Sequence, residues 1–71
     1  MKRTLKIDHR NVECGIRFIK EDDTVVLFAV KDAGANTEPY DKAIGAQIRS
    51  YFNRRGACRV SRAVYESLVK A

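Results

Sequence analysis

The chain has one histidine, two cysteines and four glycines, and between Asp41 and Glu66 it has no acidic residue at all. Each scarcity closes something off. His9 has no second imidazole with which to build a metal site or an acid–base pair, and it reads as a turn residue between Asp8 and Arg10. Two cysteines do not make a disulfide framework, and with one histidine at no close spacing they do not make a zinc site. The four glycines form no phosphate-cradling run. With no nucleophile placed beside a general base, the sequence predicts no enzyme, no cofactor, no metal and no small-molecule substrate. No apolar stretch approaches the length of a membrane span. The opening Met1 to Lys6 has the charge of a signal peptide, but Lys6, Asp8, His9 and Arg10 interrupt the apolar run that should follow. The expectation is a soluble cytoplasmic protein with reduced thiols and no membrane partner.

The missing acids matter most. Lys42, Arg49, Arg54, Arg55, Arg59 and Arg62 all lie in the acid-free stretch. The whole chain is only +5, with 14 Lys and Arg against nine Asp and Glu, so outside the stretch eight bases face nine acids. The basic character is local. Ordinary solvated faces mix signs, and a single-sign patch attracts polyanions or acidic protein surfaces. The plainer alternative is a solvated helix face whose charge aids solubility.

What is present suits one small domain. A hydrophobic content of 45% is enough for a core in 71 residues, although such a core is marginal and a second subunit is the expected support. Leu5 and Ile7 alternate with polar residues, as do Val12, Cys14, Ile16 and Phe18 after a polar break at His9–Asn11, so strands are expected at about 3–8 and 12–19. Lys20 to Asp23 is a hairpin turn; its three acids rarely point at one centre, so a calcium site is not expected. Its charge is expected to give the molecule a dipole opposed to the arginine cluster. Thr24 to Val30 is apolar on both faces and reads as the protected strand of a three-stranded antiparallel meander, about 24–31. Lys31 to Thr37 reads as a loop with Gly34 at its most permissive point.

Asn36 or Thr37 then caps a helix of about 38–55, with Pro39 tolerated in its first turn. Tyr40, Ile44, Ile48, Tyr51 and Phe52 give it one apolar face, and Gly56 ends it. Ala57 to Val60 fits a turn or a short fourth strand. Ser61 caps a second helix, about 61–70, with Val60 and Tyr65 as a hydrophobic staple. The fold class is α+β.

On the first helix, Lys42, Arg49 and Asn53 share a line with the small Gly45 and Ala46, which would let a backbone or phosphate approach closely. Arg54, Arg55, Arg59 and Arg62 gather at the junction of the helices, and Arg suits bidentate contact with phosphate or carboxylate. A helix-turn-helix is disfavoured, because the linker is long for a tight turn and the second helix offers few base-reading side chains. A groove-reading sheet rests on analogy of topology alone. Most aromatics recur at core spacing rather than as stacking platforms; Tyr40 is the one expected to be exposed. Cys14 reads as a core residue, and Cys58 lies beside Arg59 near a helix start, a setting that can lower a thiol pKa but offers no general-base partner.

These residues point to a non-catalytic binding protein docking an Arg-rich helical surface onto nucleic acid or nucleoprotein. The alternative is an adaptor or inhibitor that occludes an acidic surface of a host protein. It would resemble the accessory proteins of phages and mobile elements in size and economy only.

Overall fold

The computed structural model describes residues 1–39 and 41–69. They form β1 (Lys2–Ile7), β2 (Arg10–Ile19), β3 (Thr24–Ala35), α1 (Lys42–Arg55), β4 (Ala57–Ser61) and α2 (Arg62–Leu68). One sheet in the order β1-β2-β3-β4, antiparallel throughout, carries the α+β architecture. The segment after Gly56 is thus a strand and not a turn. It is held there because Cys58 and Val60 fall opposite Leu27 and Val25 and extend their apolar face.

Alternation along the strands sorts the sheet into two faces. Leu5 and Ile7 of β1, Cys14 and Ile16 of β2, Val25 and Leu27 of β3 and Cys58 of β4 point to one side. Ile48 of α1 and Tyr65 and Leu68 of α2 close over them as a single core. No second helical layer exists among the described residues to cover the opposite face. There Phe28 is 40% exposed. β3 is therefore interior in the sheet but not buried on both faces, which corrects the reading of its apolar run.

The sheet is staggered. β1 pairs with β2 from Arg10 to Gly15, whereas β4 pairs with β3 from Thr24 to Phe28. Only one row, Lys2–Gly15–Phe28–Ala57, crosses all four strands. After α2, Val69 bridges back to Leu5 on the outer edge of β1.

Several boundaries differ from the sequence reading. β3 runs to Ala35, so most of the expected loop is strand. Its extension is pinned by Arg10, whose Nε and Nη2 donate to the two oxygens of Asp32 at 2.9 and 2.8 Å, and by Asn11 Nδ2 donating to the Ala35 carbonyl at 3.0 Å. The pairing is irregular on either side of Val12, and Gly34 takes a φ of 105° that favours glycine. Arg10 begins β2, leaving Asp8 and His9 as the turn, with Asp8 at φ 59°.

α1 starts at Lys42, capped by Asp41, whose Oδ1 accepts from the backbone N–H of Ala43 at 2.9 Å and of Ile44 at 3.1 Å. Asn36 is not the cap because it is buried and otherwise engaged: its backbone N–H donates to the His9 carbonyl at 2.7 Å and its Nδ2 to the Asp8 carbonyl at 3.1 Å. Gly56 ends α1 at φ 73°, its N–H donating to the Phe52 carbonyl at 2.9 Å. Ser61 caps α2 as expected, Oγ accepting from Val64 N–H at 3.2 Å, but the helix ends at Leu68. The expectations for Tyr40 and Lys70 fall outside the described residues.

Candidate nucleic-acid interface

The basic residues expected to form one surface are divided among four places. Lys42 stands at the N-terminal end of α1, about 20 Å along the axis from Arg55 at 1.5 Å per residue. Arg49 and Asn53 lie in the cleft between α1 and the sheet. Arg54 and Arg55 end α1, next to Arg59 on β4. Arg62 begins α2.

The line of small residues on α1 serves the fold. A Cβ on Gly45 would stand 2.8 Å from the backbone nitrogen of Asp8 and 2.9 Å from its Cα, both impossibly close. The backbone that approaches Gly45 is the chain's own. One turn on, Arg49 Nη1 donates to Asp8 Oδ2 at 3.2 Å and clamps helix to turn. Arg49 and Asn53 also border a hollow of about 190 Å³ whose walls include Ile7, Val12, Phe52 and the Arg10–Asp32 pair. Asp32 is held below the ordinary carboxylate range by its hydrogen bond from Arg10, then by the Gly34 N–H, with Arg10 and Arg49 adding charge. Its negative charge sets this cleft apart as a poor anion site.

Arg62 is likewise committed. Its guanidinium lies 4.8 Å from the centroid of Phe18, its Nε is 3.5 Å from Glu66 Oε1, and its backbone N–H donates to the Asp23 carbonyl at 3.3 Å. Phe18 meets Tyr65 edge-on at 5.5 Å. The acidic turn therefore lies against the end of β4 and the start of α2, not at the opposite pole from all the arginines. Arg59 Nη1 is 3.7 Å from Asp22 Oδ2, so the acidic turn meets one arginine of the expected cluster directly. Asp22 is itself held low, chiefly by the Thr24 hydroxyl and then by Arg59.

What remains is the corner between α1 and β4. Among the described residues, no carboxylate lies within ion-pair distance of Arg54 or Arg55. Arg54 rests 5.1 Å from the centroid of Tyr51. Arg55 and Arg59 border a hollow of about 270 Å³ with Val26, Tyr51, Ala57 and Cys58. Val26 and Ala57 belong to the open face, so this hollow wraps round the edge of β4 and joins the helix end to the uncovered sheet. Cys58 is buried, and burial raises its thiol pKa, the reverse of the lowering expected from Arg59. Cys14 and Cys58 are both free and two strands apart, with β3 between them.

Two residues outside the acid-free stretch, Arg17 and Phe28, lie on the same side. Arg17 and Arg59 flank Val26 from either neighbouring strand, and Arg17 is exposed with no carboxylate near it among the described residues. Phe28 stands in the next row. The alternation of β2 places Arg17 opposite in phase to Cys14 and Ile16, a signal available in the sequence; the exposure of Phe28 had no such signal. No known protein family, curated protein or solved structure matches this chain, so the interface is read from its own chemistry. Among the described residues no helix is long and apolar enough to cross a membrane, and no three His, Cys, Asp or Glu gather as a metal site.

Proposed function

We propose that this protein is a non-catalytic binding module that holds a nucleic acid, alone or within a nucleoprotein, through the arginines at the α1–β4 corner. The observation that carries this reading is that Arg55 and Arg59 border one hollow that opens onto the sheet, with Arg54 beside Arg55 at the helix end and neither Arg54 nor Arg55 within ion-pair distance of a described carboxylate. Guanidinium groups so placed suit phosphate oxygens, which accept their forked donors without displacing a strong internal partner. The Arg59–Asp22 pair is exposed and long, so a phosphate can replace it at little cost. Free, buried thiols fit a reducing compartment such as the cytoplasm.

The test is a fluorescence-anisotropy titration of labelled random-sequence nucleic acid across a range of salt. Contacts from Arg54, Arg55 and Arg59 alone give a log–log slope of about −3 on duplex DNA and about −2 on single strands. All six bases of the acid-free stretch acting together would give a much steeper slope. The double variant R54E/R55E should abolish binding. Absence of binding at low salt, or a flat slope, removes the proposal and leaves the adaptor reading, for which an acidic protein partner would then be sought.

A further inference from the structure

We infer that the open face of the sheet is a platform for single-stranded nucleic acid, with a base stacked on Phe28 and phosphates held by Arg17 and Arg59. This rests on the nucleic-acid reading of the α1–β4 corner and names the strandedness that corner serves.

The row that spans all four strands sets the ring in open surroundings. Phe28 has Gly15 on one side and Ala57 on the other, the smallest neighbours available. Its ring leans over Gly15, where an added Cβ would meet Phe28 Cβ and Cδ2 at 3.6 Å. That contact anchors one side of the ring, while 40% of the residue stays exposed. The other described aromatics are taken up otherwise. Tyr65 is buried, Tyr51 and Phe52 are half-buried against the core, and Phe18, though 38% exposed, is on the helix side of the sheet under Arg62 and edge-on to Tyr65. Phe28 alone among them faces outward from the uncovered side.

The charge around it is of one sign where it counts. Arg17 and Arg59 flank Val26 one row away, about 7 Å along β3 from Phe28. Lys2 ends the row of Phe28 itself and is exposed. Two acids approach this face, and each is already opposed: Glu13 is 3.7 Å from Lys31, and Asp22 is 3.7 Å from Arg59 in an exposed pair that a phosphate can replace. An exposed ring bounded by guanidinium groups is the arrangement that takes a base on its π-face and the backbone at its sides.

Geometry disfavours a duplex on this face. Four strands at about 4.8 Å span roughly 14 Å between outer backbones, wider than the major groove of about 12 Å that accepts a two-stranded ribbon. Paired bases are also stacked on each other and cannot reach a ring on a flat surface. An unpaired base can.

The chain contains no tryptophan, so the F28W variant gives a reporter free of background. A short oligothymidylate should quench its emission, whereas a duplex that binds, by anisotropy, should not. F28A should lose roughly tenfold or more in single-strand affinity with duplex affinity unchanged. R17E should weaken single-strand binding in the same direction. Circular dichroism establishes that each variant is folded. Unchanged oligothymidylate binding by F28A, or unquenched F28W at saturation, overturns the inference while leaving the corner reading intact. If neither single strands nor duplex binds, both fall together. Quenching of F28W by polyglutamate as strong as by oligothymidylate would also overturn it, marking the face as a dock for acidic protein.

Discussion

Leu27 and Phe28 are neighbours in the chain, similar in apolar character, and have opposite fates. Leu27 is fully buried beneath the helices; Phe28 looks out from the other side of the same strand. The contrast holds across the sheet. The covered face is a continuous apolar core from Leu5 to Cys58, while the open face carries glycine, alanine, one prominent ring and several bases. Periodicity of two assigns residues to faces, but only the tally of helices decides which face is covered. One long helix and one short helix are enough for one face of a four-stranded sheet.

The sharpest way to break this comparison is to truncate the two neighbours in turn. L27A should cost about 2–5 kcal/mol in urea denaturation, because it empties a fully enclosed site. F28A should cost less than about 1 kcal/mol, as a half-exposed cross-strand contact does. If the two costs were equal, the open face would be covered in solution and the docking argument would fail.

A middle-sized effect tests how the covering layer is held. G45A improves intrinsic helix propensity by roughly 1 kcal/mol, yet it drives a methyl into the backbone of Asp8. The clash should win, with a net loss of about 1–3 kcal/mol in denaturation and a weakened Arg49–Asp8 contact. A stabilised G45A would mean that α1 does not dock on the β1–β2 turn.

The smallest effect concerns the thiols of the covered face. Burial, with a smaller contribution from Glu13, pushes Cys14 up to about 12 from an ordinary 9.0. Above pH 9 the unfolded chain loses this proton while the folded one keeps it, so stability falls as pH rises towards 12 and is unaffected below that window. Cys58 is raised in the same direction. Urea midpoints measured from neutral to alkaline pH should fall less steeply in C14A than in the parent. An equal fall would assign the alkaline loss to other groups.

Much of this architecture was legible in the residues. The alternation of Val12, Cys14 and Ile16 fixed the face of β2, and Gly56 and Ser61 marked helix ends because each acts through local backbone geometry. The site was legible only in part. Arg49 and Asp8 are 41 residues apart, and Arg59 meets an acid on the β2–β3 turn, so a stretch without acids was not a surface without acids. Gly45 has the same sequence signature whether a ligand or the chain itself approaches it. Asp41 displaced Asn36 as the cap because Asn36 was already bonded to Asp8 and His9, contacts that no local pattern announces. Phe28 was hidden within an apolar run whose burial depends on a layer elsewhere in the chain.

The stagger of the strands has a consequence for how the molecule comes together. β1 pairs only with the first half of β2, and β4 only with the first half of β3, so β1 needs only β2 as its template and β4 only β3. β1, β2 and β3 follow one another through turns of two and four residues, whereas the chain reaches β4 only after α1. Chain order and register together favour a three-stranded spine built from local turns, with β4 joining across the helix at the far end of the one row that all four strands share.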